Sequence, residues 1–301
     1  MAGCARPTSE KGRATYPLHA LCQAPGSGGL RATPNERKLR VAVQGRPGKL
    51  ASWGLGALAL VLALGPGIAL ARPAARPAPP PPPSGPPSRL EVEGEADAFY
   101  YPPRTRARPR PAIVYLHGRS GYPEQDCEKW AKVARGYGWL LCPSGQEERG
   151  GGARGWANNW PAGRLAVDRA FAALRKKAGR GLSARGHTLI GFSEGAYVAM
   201  NVGVREPETF DRWLILAAND VYWGGEGEAE LRKNRRRIKR VYLLTGSQDE
   251  VVDATRRVFD SLDRTGVHVM LRTPDDLGHD VPEARMRELY DRPLAWLAMA
   301  R

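Results

Sequence analysis

Acidic residues are nearly missing from the first 89 positions of this chain, which hold 2 Asp/Glu against 12 Lys/Arg. Most of the formal charge of +15 therefore sits in the amino-terminal part, and residues 90–301 carry only +5. A stretch so nearly balanced does not offer the basic face that nucleic-acid binding needs. The densest later cluster is Arg232-Lys233-Asn234-Arg235-Arg236-Arg237-Ile238-Lys239-Arg240. It has no interleaved aromatic ring for base stacking and reads as a solvated helix or loop face. Nucleic acid is not an expected partner.

Cysteine is scarce too, with residues 4, 22, 127 and 142 making up all 4. No metal-site spacing appears among them, and neither metal nor cofactor is expected. Cys4 and Cys22 fall in the basic leader; Cys127 and Cys142 remain as an even pair, either a disulfide or two buried thiols.

Long apolar runs are lacking as well. Residues 53–64 are apolar and uncharged, but Gly65-Pro66-Gly67 ends the run before the ~20 residues a spanning helix wants. Arg46 and Lys49 precede it and Ala69-Leu70-Ala71 follows, the layout of an export signal cut after Ala71. Residues 50–71 are thus expected to be a signal peptide, with an uncleaved anchor as the alternative. Residues 1–49 are a basic low-complexity leader whose translation is open, since a start near Val41 or Val43 would restore a normal signal length. Residues 72–88 form a proline-rich tether that is stiff, extended and unable to pack a core.

From residue 89 onward the pattern changes to alternating strands and helices. Strands are expected at 112–116, 139–141, 188–190, 213–216, 241–244 and 267–271. Helices are expected at 124–135, 165–177, from Ala196 to about Arg205, 253–264 and 283–300. Uninterrupted apolar strands between helices imply an α/β fold, a mostly parallel sheet covered on both faces. Sites on such sheets lie at the carboxyl ends of the strands.

One turn of this kind organises the rest. Gly191-Phe192-Ser193-Glu194-Gly195 spells G-x-S-x-G between a short strand and a helix. With 35 glycines in the chain the pentapeptide alone is weak; the strand before it and the helix after it make it specific. A tight turn strains the central residue, so Gly191 and Gly195 are read as the elbow's obligatory small residues and Ser193 as a nucleophile.

A serine needs a base, and a base needs an orienting carboxylate. There are 5 histidines. His19 lies in the leader, His187 precedes the nucleophile strand, His268 sits in a strand, and His117 reads as scaffolding. His279, in the loop after the last strand, is the expected base. Asp249 is the first choice of acid, in the loop after the preceding strand, with Glu250, Asp253, Asp275 and Asp276 as fallbacks. Leu116-His117-Gly118-Arg119 ends the first long strand, and the amides of Arg119 and Glu194 are the expected oxyanion donors. The loops carrying Trp156, Asn158, Asn159, Trp160 and Pro161, and Asn219, Asp220, Tyr222 and Trp223, are expected to wall the site with aromatic and polar groups, with surface or core packing an equally good account of any single Trp.

Tyr-Leu-His-Gly at 115–118, Gly-Phe-Ser-Glu-Gly at 191–195, Thr-Gly-Ser-Gln-Asp at 245–249 and Leu-Gly-His-Asp-Val-Pro at 277–282 together resemble the α/β-hydrolases. The nearest branch is the compact dienelactone hydrolase and phospholipase/carboxylesterase-like group, including exported polyester-depolymerase-like esterases. The resemblance covers roughly residues 97–300 and implies an α/β-hydrolase domain at 89–301. It also implies little or no lid, because no long insertion separates the strand ending near Ala218 from that beginning at Val241. The function expected from it is an exported, periplasmic or extracellular serine hydrolase acting on small-molecule esters through an acyl-enzyme. A membrane enters only through an uncleaved signal segment. A serine peptidase or amidase, and a silent binding protein on the same fold, remain the alternatives.

Overall fold

The computed structural model describes residues 85–222 and 225–300. The leader, the signal segment, all but the last residues of the tether, and Trp223 lie outside the described residues. The main sheet contains β1 (Ser88–Leu90), β2 (Ala98–Tyr101), β3 (Ala112–Leu116) and β4 (Trp139–Cys142). A two-stranded hairpin of β5 (Glu147–Glu148) and β6 (Arg154–Gly155) follows, then the sheet resumes with β7 (His187–Phe192), β8 (Phe210–Leu216), β9 (Arg240–Leu244) and β10 (Val269–Arg272). The order across the sheet is β1-β2-β4-β3-β7-β8-β9-β10. Every neighbouring pair from β4 to β10 is parallel, and β2 alone runs against the rest.

The helices are α1 (Pro123–Ala134), α2 (Trp160–Ala178), α3 (Glu194–Arg205), α4 (Glu226–Asn234), α5 (Val252–Arg264) and α6 (Met286–Ala298). Alternate residues of each buried strand point to opposite faces. Val114, Leu116, Leu141, Leu189, Ile215, Val241 and Leu243 meet α2, α3, α4 and α5 on one face. Ile113, Tyr115, Leu140, Ile190, Leu214, Leu216 and Leu244 meet α1 and α6 on the other. There Trp130 stacks between Tyr115 and Tyr290, at 5.1 and 4.8 Å between ring centroids. Cys127 and Cys142 are joined in a disulfide that ties α1 to the end of β4.

Several boundaries differ from the sequence reading. Ser88 pairs with Tyr100 and the Tyr101 hydroxyl donates to the Gly85 carbonyl at 2.9 Å, so the end of the tether is already part of the sheet edge. β1, β2 and α4 are absent from the sequence reading because none shows a clean apolar period. α2 starts earlier than expected, at Trp160, where Asn159 Oδ1 accepts the Ala162 N–H at 3.1 Å and Pro161 fits the first turn. Leu165, expected on its buried face, is instead exposed. His268 lies one residue before β10, where its carbonyl accepts the Val241 N–H.

α4 occupies the connection between β8 and β9. It packs along the carboxyl half of α3, with Asn234 Nδ2 donating to the Val204 carbonyl at 2.7 Å and Arg205 paired with Glu226. The basic run from 232 begins on its exposed side, where Arg232 and Lys233 pair with Glu228 and Glu230. No helix among the described residues is long and apolar enough to cross a membrane.

Candidate active site

The turn between β7 and α3 puts Ser193 at φ 53° and ψ −118°, a conformation that side chains rarely adopt. Its two glycines are steric requirements. A Cβ on Gly195 would stand 2.5 Å from the His117 carbonyl oxygen and closer still to that of Leu116. A Cβ on Gly191 would stand 2.7 Å from the Ala196 Cα and from the Ala199 Cβ. The turn is held from the sheet side by the Ser193 N–H, which donates to the Leu216 carbonyl at 3.0 Å.

His279 and Asp249 come from the loops after β10 and β9. Ser193 Oγ lies 2.9 Å from His279 Nε2, and His279 Nδ1 lies 3.0 Å from each oxygen of Asp249. The carboxylate beside Nδ1 places the ring proton there, so Nε2 is free to accept the serine hydroxyl. Asp249 is buried, and the Val251 N–H donates to its Oδ1 at 3.0 Å. Phe192 packs against the His279 ring at 5.0 Å. The two loops are joined directly: the Gln248 N–H donates to the Leu277 carbonyl at 3.1 Å, and the Ser247 N–H to the Pro274 carbonyl at 2.9 Å.

The fallback acids are elsewhere. Asp253 pairs with Arg256 at 2.7 Å and Asp276 with Arg285 at 3.0 Å. Asp275 offers its carbonyl to Ser247 Oγ and Gln248 Nε2. Glu250 lines the rim of the cavity that contains Ser193.

The two amides singled out in the sequence are oriented by what holds their peptide units. The Gly118 carbonyl accepts His117 Nδ1–H at 2.8 Å and the Gly121 N–H at 3.0 Å. His117 Nε2 accepts the Gly145 N–H at 3.0 Å, which fixes the tautomer, and burial lowers the affinity of this ring for a second proton. In a trans peptide the N–H points opposite to the C=O, so the Arg119 N–H is turned away from His117. In the same way the Ser193 carbonyl accepts from Ala196 and Tyr197, turning the Glu194 N–H outward at the start of α3. A Cβ on Gly118 would be 3.5 Å from that of Ser193, so this loop lies directly against the serine. Among the described residues neither the Arg119 nor the Glu194 N–H has a hydrogen-bond partner.

The side chain of Glu194 has a role that the sequence did not disclose. It is buried, and its carboxylate accepts the Trp156 N–H at 2.9 Å, the Asn158 N–H at 3.0 Å and the Arg119 guanidinium at 3.2 Å. The expected aromatic wall is corrected for Trp156 and Trp160, while Trp223 lies outside the described residues. Trp156 is fully buried beneath the site, its indole N–H donating to the His117 carbonyl at 2.8 Å, and the Arg205 guanidinium lies over Trp160. Asp220 pairs with Arg257. Among the described residues the rim is mostly polar: Arg119, Asn158, Tyr197, Asn219 and Glu250 line a cavity of about 280 Å³ that contains Ser193 and His279. Larger clefts elsewhere on the surface hold neither residue.

No family model and no curated protein matches this chain. Solved structures do. S-formylglutathione hydrolase from Agrobacterium tumefaciens aligns at a TM-score of 0.52 and 17% identity, over 68% of this chain and 89% of that one. Esterase PE8 gives 0.52 and 19%, over 71% and 100%, and Est1E from Butyrivibrio proteoclasticus 0.52 and 14%, over 71% and 99%. The fold is that of the α/β-hydrolases. Within the α/β-hydrolase fold, Ser193, Asp249, His279 and the 118–119 peptide all sit at the carboxyl ends of parallel strands, those of β7, β9, β10 and β3.

Proposed function

We propose that this protein is a serine hydrolase of carboxylic esters. The observation that carries the reading is the hydrogen-bonded series Asp249–His279–Ser193, with the serine on a strained turn at the start of α3. His279 Nε2 takes the proton from Ser193 Oγ as the oxygen attacks the ester carbonyl. Asp249 holds the imidazole in its Nδ1–H tautomer and stabilises the imidazolium. The carbonyl oxygen becomes an oxyanion between the Arg119 and Glu194 N–H groups, each worth about 3–4 kcal/mol in the transition state. His279 then gives its proton to the departing alkoxide. A water, deprotonated by the same ring, attacks the acyl carbonyl, and the imidazolium returns that proton to Ser193 Oγ as the acid leaves.

Export is part of the proposal, with residues 1–71 as leader and signal, the proline-rich tether next, and the described domain as the mature catalytic unit. The Cys127–Cys142 disulfide supports it, since such bonds persist in oxidising compartments. The test is turnover of short-chain nitrophenyl esters by wild type and Ser193→Ala. Hydrolysis lost in a variant that remains folded is expected; equal hydrolysis by both would overturn the mechanism.

A further inference from the structure

Arg119 lines the Ser193 cavity, and also the neighbouring cleft that holds Asp126, Asp280 and Glu283, with its side chain 50% exposed. That position is imposed. Nε and Nη2 both donate to Glu194 Oε1, at 3.4 and 3.2 Å, and Glu194 is itself fixed by the N–H groups of Trp156 and Asn158. The two donations use one edge of the planar fork. Among the described residues no acceptor meets Nη1, so a second edge of donors is left over. Asn219 lines the same cavity, and its Oδ1 is occupied by the Val221 N–H at 3.0 Å, which leaves its amide NH₂ as the available group. A guanidinium anchored by one carboxylate and presenting its remaining donors to a cavity is built to receive a second carboxylate.

Resting on the ester-hydrolase reading above, we propose that the preferred substrates are esters bearing a carboxylate close to the reacting carbonyl, and that Arg119 recognises it. Glu250 lines the same cavity from the loop after β9 and repels an anion there, which leaves the Arg119 side as its place. The small volume, about 280 Å³, and the polar rim fit a short charged substrate better than a long acyl chain. A carboxylate reaches Arg119 from the acyl part or from the alcohol part, and substrate pairs distinguish the two.

The experiment compares kcat/KM within two matched pairs. For the acyl side these are nitrophenyl hydrogen succinate and nitrophenyl butyrate; for the alcohol side, acetoxyacetate and methoxyethyl acetate. The ratio of charged to neutral substrate is the readout, because it cancels any general effect of a substitution on the reaction. The expected wild-type ratio is about tenfold or more in one pair, falling as salt rises. Arg119→Gln brings it to one or below, and Arg119→Lys keeps part of it, since charge remains but the planar fork is lost. A wild-type ratio at or below one in both pairs, with the neutral esters hydrolysed, overturns the inference and leaves the ester-hydrolase reading intact. So does a ratio that Arg119→Gln leaves unchanged. Failure of the folded wild type to hydrolyse any of the esters overturns both.

Discussion

The guanidinium of Arg119 and the carboxylate of Glu194 are 3.2 Å apart, and these are the two residues whose amides are proposed to hold the oxyanion. The loop after β3 and the first turn of α3 are therefore tied to each other by side chains as well as by backbone packing. Glu194 extends the tie to the 156–158 loop. Its removal should loosen both amides at once.

Glu194→Ala leaves two backbone N–H groups without their acceptor, a cost of about 1–3 kcal/mol each in stability. It should lower kcat by about tenfold or more while changing KM little, because the oxyanion exists only in the transition state. Glu194→Gln keeps an acceptor oxygen and should recover part of both losses. Steady-state kinetics with urea unfolding checks this; an unchanged kcat in Glu194→Ala would remove the positioning role.

Gly195→Ala should fail more completely than its size suggests. The added Cβ meets the carbonyl oxygens of Leu116 and His117 at the ends of β3, which are backbone atoms and cannot rotate away. The elbow must shift and carry Ser193 out of register with His279. Loss of activity together with a lowered melting temperature is expected, measured by ester turnover and circular dichroism; a fully active variant would contradict the steric account.

Two groups outside the site, His187 buried and Glu206 half-buried, set opposing pH dependences. His187 is buried against Phe171 and Phe210, accepts the Ala112 N–H at Nδ1, and is pushed down to about 4 by desolvation and by Arg175 and Arg212. The unfolded chain takes up this proton below the ordinary histidine value, so stability from His187 is lost as pH falls from 6.5 towards 4. Glu206 is pushed up to about 7, by desolvation first and then by Asp168, although Arg164 opposes the shift. Its protonated form is favoured in the native state, so its contribution is lost as pH rises from 4.5 towards 7. Glu206→Gln removes the second effect and should make the melting temperature climb more steeply with pH across that window. A slope identical to wild type by differential scanning fluorimetry would show that Glu206 does not titrate there.

The Cys127–Cys142 bond closes a sequence separation of 15 residues. A loop of that length corresponds to about 3 kcal/mol of stabilisation through the unfolded chain. A Cys127→Ala and Cys142→Ala double variant should be less stable by about that amount at equal activity, because neither cysteine lines the Ser193 cavity. Urea unfolding beside ester turnover checks both halves of the expectation.

Much of this architecture was legible because strand and helix signals coincide with chemistry. β3 and the carboxyl parts of β7, β8 and β9 are apolar runs, and the loops after β3, β7 and β9 carry Gly118, Ser193 and Asp249 at the strands' carboxyl ends. His279 follows by counting histidines. What escaped the sequence has physical causes. β1 is an edge strand with part of its surface exposed, so Ser88 and Arg89 show no buried period, and β2 beside it is only four residues long. α4 alternates charges and buries only Gly227, Leu231 and Asn234. Its loop after the second strand alone places Trp156 at the rim or in the core, and the structure decides for the core, where its indole holds the His117 carbonyl. Glu194 looked like the variable residue of a motif. Nothing local discloses that its carboxylate receives donors from residues 119, 156 and 158.

The most direct test of the central proposal is intact-protein mass after brief exposure to a fluorophosphonate, for the described domain of wild type, Ser193→Ala and His279→Ala. One phosphonyl adduct on wild type, mapped to the peptide containing Ser193 and lost or greatly slowed in both variants, is the expected result. A folded wild type that gains no adduct, or one labelled as fast when His279 is gone, would contradict an activated Ser193.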